Sequence, residues 1–219
     1  MTDAKKPQLK INEIFFSIQG ESTWSGFSTV FIRTSGCHLR CTYCDTTYAY
    51  HDGGMMNVED VIQKVKDFGA KYVCVTGGEP LLQSAIYPLM QQLCDLGLHV
   101  SLETSGDKDR SKVDARVKKI IDVKTPDSGE PDAFRRDNLN FINSVTEFKF
   151  VICSEKDFYW AENFARENGL FGNTTVLYSP SFNQIEEKWL AQKILSEKSS
   201  ARLQLQLHKY IWSPSTRGV

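Results

Sequence analysis

Apolar and polar positions repeat along the chain with two different spacings. The clearest helical pattern opens at Asn57, a residue suited to an N-cap, and is closed by Gly69, with its apolar residues spaced to fall on one face. Similar patterns predict helices over residues 85–96, near 156–168 and over 185–196. The spacing therefore predicts four amphipathic helices.

Short runs of β-branched and aromatic residues lie between these helices and predict strands. An extended segment at residues 11–17 and a run ending at Arg33 come first. The later predicted strands cover residues 71–76, 99–104, 119–124, 147–152, 175–179 and 203–208. Strands that alternate with helices are typical of a parallel sheet covered by helices.

Chain length limits the size of this sheet. One βα unit takes about 30 residues, so the part of the chain after Thr29 holds roughly six units, fewer than the eight of a closed barrel. The sequence therefore predicts an α/β fold, an incomplete (β/α)6-like TIM barrel, in one domain over residues 1–219. Residues 127–140 are polar enough to be an exposed loop.

Charge and hydropathy exclude several classes of protein. The chain has 26 Lys and Arg against 27 Asp and Glu, so it lacks the broad basic field of a nucleic-acid-binding protein. No apolar run is long enough for a membrane span, and residues 1–10 are too polar for a signal peptide. We therefore expect a cytoplasmic protein with neither a nucleic-acid nor a membrane partner.

Three of the six cysteines form a C-x3-C-x2-C cluster, namely Cys37, Cys41 and Cys44. Cytosolic thiols stay reduced, so the cluster indicates metal or redox chemistry, and three thiolates leave one metal position open for a ligand. A zinc loop that borrows His38 or a distant cysteine is the alternative. The other cysteines lie in apolar stretches and are expected to pack in the core: Cys74, Cys94 and Cys153.

Polar residues follow the predicted strands at their carboxyl ends, where barrel sheets place their chemistry. Examples are Gly77 after Thr76 and Ser105 after Thr104. The two glycines of TGGEP (76–80) let a ligand approach the backbone closely, although the same residues also suit a plain strand-to-helix turn. Glu103 is either part of the site or simply a paired carboxylate.

The cysteine spacing, with Tyr43 before the last cysteine, resembles the radical S-adenosylmethionine (SAM) superfamily. The resemblance implies a 4Fe–4S cluster on the three thiolates, whose open iron binds the amino and carboxylate groups of SAM. Reduction then cleaves SAM to a 5′-deoxyadenosyl radical. The matched positions imply SAM contacts at Tyr43, Cys44, Asp45, Gly78, Ser105, Asp122, Val123 and Lys124.

Further stretches narrow the resemblance to the 7-carboxy-7-deazaguanine synthase family. They are INEIFFSIQGES (11–22), FIRTSGC (31–37), CDTTY (44–48), TGGEP, ETSG (103–106) and the terminal LQLHKYIW. The resemblance implies a carbon–nitrogen lyase that converts 6-carboxy-5,6,7,8-tetrahydropterin to 7-carboxy-7-deazaguanine with loss of ammonia, an early step toward 7-deazapurines such as queuosine. It also implies a Mg2+-dependent homodimer, and we expect an electron donor such as flavodoxin.

The substrate carboxylate needs a cation, and Arg33 offers a planar fork at a strand end, unless it only forms an ion pair. The family match implies that Thr46 holds Mg2+, although Thr46 also suits a simple turn hydroxyl. His208, expected near the end of the last strand, is either a substrate contact or a structural histidine. No residue is assigned as catalytic, and the implied substrate contacts are Ile18, Gln19, Gly20, Glu21, Arg33, Thr76 and His208.

The chain departs from the family pattern at two places. Ser22 stands where the family usually has glycine, which could alter the turn, and Asp122-Val123-Lys124 replaces Ser-Pro-Lys, which puts two SAM contacts in doubt. Two other functions remain open. One is a radical SAM activase of a glycyl-radical enzyme, which would bind a protein loop, and the other is a non-catalytic zinc-binding domain.

Overall fold

A computed structural model of the protein describes residues 6–219. Residues 1–5 lie outside it, and with them half of the polar segment at 1–10. Within residues 6–219 nine strands form one sheet: β1 Gln8–Ile18, β2 Ser28–Thr34, β3 Gly54–Asn57, β4 Tyr72–Gly77, β5 His99–Thr104, β6 Lys118–Asp122, β7 Thr146–Ile152, β8 Thr175–Pro180 and β9 Arg202–Leu203.

The sheet has the order β3-β1-β2-β4-β5-β6-β7-β8-β9. The pairs β1–β2 and β1–β3 are antiparallel, and every pair from β2 onward to β9 is parallel. Strands β3 and β9 are the two edges of this order, so the sheet is open. Because six parallel strands have five or more residues, the predicted α/β fold with an incomplete barrel is confirmed.

Five α-helices occur in residues 6–219, and the four predicted ones are among them. Helix α1 begins where expected, but the Asn57 side chain makes no cap bond to the backbone and donates instead to the Asp60 carboxylate at 2.8 Å. None of the five is long and apolar enough to cross a membrane. They are α1 Val58–Asp67, α2 Ile86–Asp95, α3 Glu155–Glu167, α4 Glu187–Ser196 and α5 His208–Ile211.

The predicted strand at residues 203–208 is wrong, because only Arg202 and Leu203 pair with β8. The chain then turns toward the segment after β1, where Leu207 N donates to Gly20 O at 3.0 Å. Residue His208 therefore begins α5 and does not end a strand. The short edge strand β3 was not predicted.

The connections from β5 to β6 and from β6 to β7 contain no α-helix in the structure. The expectation that residues 127–140 form an exposed loop is only partly right. Asn138 is fully buried, and its side-chain amide donates to Gly106 O at 2.8 Å and to Lys108 O at 2.9 Å. One connection is thus fastened to the other by hydrogen bonds to the backbone.

The core lies between the sheet and its covering helices. Side chains of a strand alternate between faces, and in β7 all seven residues are buried. Phe148, Phe150 and Ile152 belong to the apolar cluster that packs with α3. The intervening Glu147 and Lys149 lie on the other face, so the inner face of the sheet is polar and suited to lining a cavity.

The end of the sheet where the parallel strands begin is closed by the segment at residues 19–27. The Lys118 ammonium lies 2.5 Å from Glu147 Oε1, and Thr23 bonds to both side chains. Ser22 adopts φ +64°, the conformation for which glycine is favoured, and its N–H donates to Gln204 Oε1 at 2.7 Å. Ser22, the first departure from the family pattern, therefore adopts the left-handed backbone conformation that a glycine would adopt there.

Candidate functional site

A cavity of about 760 Å³ opens at the carboxyl ends of the parallel strands. The structure brings together there every residue predicted to belong to the site except Val123. That side chain is fully buried in the apolar cluster, which leaves only the Val123 backbone available to a ligand. The cavity therefore gathers residues from six strands, the cysteine loop and the C-terminal segment.

The cysteine loop forms one wall of this cavity. Cys37, Cys41 and Cys44 are free, half-buried thiols that line the cavity. Backbone bonds hold the loop at several points, among them Gly36 N to Ala49 O at 2.9 Å and Thr42 N to Ser128 O at 2.9 Å. A loop fixed in this way presents its thiols in a defined arrangement.

The three thiols do not converge on a single point. Within residues 6–219 no three Cys, His, Asp or Glu side chains converge closely enough to ligate one metal ion. An iron–sulfur cluster needs less convergence, because each thiolate binds a different iron, whereas structural zinc needs four ligands around one point. The arrangement thus suits a cluster better than the zinc loop with His38, whose ring nitrogen bonds instead to Asp107 at 2.5 Å.

Burial affects the protonation of the cysteines. It raises the pKa of the Cys37 thiol and raises the pKa of Cys41 to about 11, against the opposing effect of the Lys124 ammonium. Both thiols are therefore protonated at neutral pH in the metal-free protein. Metal binding has to release these protons.

The TGGEP segment packs tightly against the cysteine loop. Gly78 N donates to Thr34 O at 3.2 Å, and a Cβ atom on Gly78 would lie 2.7 Å from Cys37 Cβ and collide with the Gly36 carbonyl. Only glycine fits at this position without a shift of the loop. The segment does form the strand-to-turn connection considered as the alternative, since Pro80 begins a 3-10 turn.

Glu79 fastens this segment to the next strand. Its buried carboxylate accepts hydrogen bonds from Ser105 N at 2.8 Å, Ser105 Oγ at 2.7 Å, Thr104 Oγ1 at 2.9 Å and Leu81 N at 3.0 Å. Burial nevertheless raises the pKa of Glu79. The ends of β4 and β5 are thereby held together beside the cysteine loop.

Four charged side chains form a chain of contacts across the cavity. Lys149 Nζ lies 2.6 Å from Glu21 Oε2 and 3.1 Å from Asp122 Oδ2, and Lys124 Nζ lies 3.0 Å from Asp122 Oδ1. Burial alone would raise the pKa of both carboxyls, but the lysines lower it in each. We call these residues, Glu21, Lys149, Asp122 and Lys124, the charge chain.

Sequence reasoning missed Lys149. A signal was present, because Lys149 and Glu147 alternate with phenylalanines in a strand that otherwise reads as buried. Charged residues at every second position of a buried strand indicate that its second face lines a polar cavity.

Arg33 is engaged only in part. Its Nε donates to Glu13 Oε1 at 2.7 Å, so the ion-pair alternative holds for one edge of the guanidinium. Neither Nη group donates a hydrogen bond to any residue in 6–219, and the guanidinium lies over the rings of Phe15 and Tyr48. The fork therefore remains available to an anionic ligand.

Two buried polar atoms in the cavity wall have neither a hydrogen-bond nor an ion-pair partner within residues 6–219: Gln19 Nε2 and the Tyr43 hydroxyl. Buried polar groups normally find a partner, so each of these atoms marks a place for a ligand atom or water. Gln19 belongs to the predicted substrate turn, whereas Tyr43 belongs to the predicted SAM contacts.

Thr46 and Asp45 place oxygen atoms beside the last cluster cysteine. The Thr46 hydroxyl donates to Asp45 Oδ1 at 2.9 Å and makes no cap bond to the turn that follows. Burial would raise the pKa of Asp45, but Lys209, 2.7 Å from Oδ2, brings it down to about 2. Mg2+ commonly takes one or two protein oxygens and fills its other positions with substrate and water, which these residues allow.

His208 lies in the cavity wall at the start of α5. A Cβ atom on Gly20 would collide with the His208 ring, so the QGE turn and α5 pack directly on each other. Burial lowers the pKa of His208, opposed by the nearby Glu21 and Asp45 carboxylates. The ring thus stands at the same end of the cavity as Glu21.

Glu103, left open between a site residue and a paired carboxylate, lines the cavity, whereas the three cysteines outside the cluster do not. Glu103 accepts hydrogen bonds from Thr76 Oγ1 at 3.1 Å and from the Cys74 thiol at 3.6 Å, and burial, together with Glu21, raises its pKa. Cys74 and Cys94 are buried as expected, but the expectation is wrong for Cys153, which is half-buried just beyond the end of β7.

The C-terminal residues 214–219 also line the cavity, and no sequence signal indicated this. The Arg217 guanidinium lies 4.0 Å from the centre of the Tyr48 ring. The C-terminal segment and the turn that contains Tyr48 therefore meet in the cavity wall, although they are distant in sequence.

Comparisons with known proteins agree with this geometry. The profile of the Radical SAM superfamily matches residues 31–133. The 7-carboxy-7-deazaguanine synthase of Chlorobaculum tepidum is 44% identical over 214 residues, which cover 96% of this chain and 97% of that protein. The synthase of the same name from Koribacter versatilis is 37% identical, with 96% and 100% covered. The crystal structure of QueE from Escherichia coli is similar in fold, with a TM-score of 0.77 at 21% identity and 92% and 95% of the two chains covered.

Proposed function

The chain belongs to the 7-carboxy-7-deazaguanine synthase family, and from that membership we propose how its residues carry out the family's reaction. It is a radical SAM enzyme, a ring-contracting carbon–nitrogen lyase that uses a 4Fe–4S cluster, SAM and Mg2+. The reaction converts 6-carboxy-5,6,7,8-tetrahydropterin to 7-carboxy-7-deazaguanine with loss of ammonia. Membership of this family does not favour the alternative function, a glycyl-radical activase.

One observation carries the assignment of the site. The three cysteine thiols and the QGE turn with Arg33 line the same cavity, so the proposed cluster site and a binding region for a polar ring face one shared space. The donor set fits the cofactors, because it offers three free cavity-lining thiols for a cluster and two unpartnered polar atoms for further ligands.

At the SAM end, we propose that Cys37, Cys41 and Cys44 hold the cluster. When bound, cluster and SAM supply the electron and the radical that removes hydrogen from the substrate. Gly78 lines the cavity directly against Cys37 and forms the proposed contact with the SAM amino group there, and Glu79 keeps Ser105 in place. The remaining SAM contacts in this proposal are Tyr43, Cys44, Asp45, Asp122, Val123 through its backbone, and Lys124.

At the substrate end, the free Nη groups of Arg33 suit the substrate carboxylate, and the carboxylate of Glu21 suits N–H donors of the pterin ring. Gln19 Nε2 is buried without a partner and can donate to a ring acceptor. The other substrate contacts in this proposal are Ile18, Gly20, Thr76 and His208. Thr46 would hold Mg2+, beside Asp45, whose carboxylate accepts a hydrogen bond from the Thr46 hydroxyl.

The setting of this activity is also a proposal. Cluster thiols have to remain reduced, which supports a cytoplasmic location with an electron donor such as flavodoxin. We propose one domain over residues 1–219, with a cluster loop at 34–50, because all described strands share one sheet. A homodimer is supported by the stacked, exposed aromatic pair Phe16 and Phe68, 5.9 Å apart.

The experiment compares two cysteine variants after anaerobic reconstitution with iron and sulfide. Cys41→Ala should lose the visible absorbance of the cluster, bind less than the full complement of iron and form no 7-carboxy-7-deazaguanine. Cys94→Ala, which removes a buried thiol on the helix side of the sheet, should keep all three properties. Full turnover by Cys41→Ala would contradict the proposed site.

A further inference from the structure

Lys149 stands at the centre of the charge chain. It lies on β7 directly opposite Asp122 of β6, and its side chain is only 10% exposed. Its ammonium contacts carboxylates from two separate parts of the chain, Glu21 after β1 and Asp122 at the end of β6. Lys149 is therefore a bridge between two strand ends that are not neighbours in the sheet.

Each of the two carboxylates has a further partner on its own side. Glu21 Oε1 accepts a hydrogen bond from Gln206 Nε2 at 2.8 Å, and Asp122 is held by Lys124 at 3.0 Å. Within residues 6–219 Lys149 is the one side chain that contacts both carboxylates. Removing its charge would leave both carboxylates with fewer partners in a buried place.

The two carboxylates, although both lie within reach of one ammonium, belong to the two different ligand sites proposed for the cavity. Glu21 lies with Gln19 and His208 at the proposed substrate end, whereas Asp122 and Lys124 lie with Tyr43 at the proposed SAM end, where the Lys124 ammonium is 5.3 Å from the centre of the Tyr43 ring. A ligand that contacts one carboxylate thus acts on an ammonium that the other carboxylate shares.

We propose that Lys149 is a positioning residue that couples the two ends of the cavity, so that SAM bound at the Asp122 end tightens substrate binding at the Glu21 end. The inference rests on the proposed function. A ligand at either end fixes the shared ammonium and, through it, the carboxylate that the second ligand needs. Because such coupling is reciprocal, bound substrate tightens SAM binding by the same factor.

The chain offers a matched control on the same two strands. Lys118 on β6 and Glu147 on β7 form a buried lysine–carboxylate pair with an N···O distance of 2.5 Å and side-chain exposures of 10% and 2%. This pair lies at the closed end of the sheet, next to Thr23, and does not line the cavity. Lys118→Met therefore removes a comparable buried charge without changing any residue of the charge chain.

The test measures substrate affinity with and without SAM by titration calorimetry on anaerobically reconstituted protein. We expect SAM to tighten binding of 6-carboxytetrahydropterin about tenfold in the wild type, within the usual range of about 5- to 150-fold for coupled sites. In Lys149→Met the ratio should fall to about one, whereas Lys149→Arg should restore part of it. Lys118→Met should retain the wild-type ratio even if its melting temperature falls.

A second measurement separates positioning from simple structural support. Loss of coupling should raise the amount of 5′-deoxyadenosine formed per 7-carboxy-7-deazaguanine in Lys149→Met, because SAM is then cleaved when the substrate is poorly placed. If Lys149→Met does not fold, Asp122→Asn removes one contact of the bridge and should move both readouts in the same direction.

The outcomes also separate this inference from the function on which it rests. A wild-type protein that cleaves no SAM would contradict the proposed function itself. A wild-type protein that forms product but shows equal substrate affinity with and without SAM would overturn the coupling. The coupling would also be overturned if Lys149→Met or Asp122→Asn kept the wild-type ratios.

Discussion

Replacing Asp157 by alanine tests how residues 125–127, the loop directly after Lys124, are held in place. Asp157 is fully buried in the first turn of α3, three residues after the N-cap Ser154. The Asp157 backbone N–H donates a hydrogen bond to Ser154 Oγ. A carboxylate at this position commonly reaches back to the N-cap. Here it accepts instead from Thr125 Oγ1, Asp127 N and Cys153 N, each at 3.0 Å.

The expected cost follows from these contacts. Asp157→Ala leaves the Cys153 N–H, which is half-buried, without a partner at about 1–3 kcal/mol, and the exposed Asp127 N–H at less than that, in addition to the lost bond from Thr125. We expect a loss of about 2–4 kcal/mol in the free energy of unfolding. For a chain of this size, that lowers the melting temperature by about 4–16 °C. Asp157→Asn keeps one acceptor oxygen and should lose about half as much.

The assay combines thermal unfolding with SAM binding by calorimetry. Since Thr125 directly follows Lys124, loosening this loop should also weaken SAM binding about fivefold or more, by analogy with other misplaced binding groups. Glu162→Ala is the control, because Glu162 is a buried acceptor for Tyr178 and Arg166 that does not line the cavity. It should lower the melting temperature and leave SAM affinity unchanged. A change of less than 2 °C in Asp157→Ala would refute the reasoning about unpaired donors.

Two further predictions concern the substrate end. Glu21 has a pKa lowered below its ordinary value of 4.5, because Lys149, His208 and Gln206 outweigh burial, so its ionisation stabilises the fold above about pH 4.5 and this contribution disappears as the pH falls further. The difference in melting temperature between wild type and Glu21→Gln should therefore stay constant from pH 7 to about pH 5 and shrink as the pH falls below about 4.5, and a difference that grows on acidification would contradict the assignment. Gly20→Ala should weaken substrate binding about tenfold with little effect on SAM affinity, because the new Cβ collides with the His208 ring, and equal losses for both ligands would point to general misfolding.

Sequence patterns predicted the regular part of the fold because that part depends on local spacing. Helix α1 and strand β5 have the expected bounds to within a residue or two, since helix and strand periods are visible in any short window. The pattern failed at residues 203–208, where an apolar alternation exists but a contact with Gly20, far away in sequence, turns the chain.

The site divides in the same way. The cysteine loop and TGGEP are short motifs, so their meeting at one cavity followed from strand ends alone. Lys149 and Arg217 carry no motif, and their place depends on which strands become neighbours and where the last segment runs. Glu13 carries no motif either, but its position opposite Arg33 could be predicted once β1 is correctly paired with β2.

We propose that the radical removes hydrogen from C6 of the pterin, so the most direct test of the reaction is a single anaerobic turnover with substrate deuterated at C6. The reconstituted protein receives reductant, SAM, Mg2+ and the labelled 6-carboxytetrahydropterin, and the products are followed by mass spectrometry. We expect 7-carboxy-7-deazaguanine together with 5′-deoxyadenosine that carries deuterium from the substrate. Formation of 5′-deoxyadenosine without label and without that product would contradict the assigned substrate and the placement of the cavity residues around it.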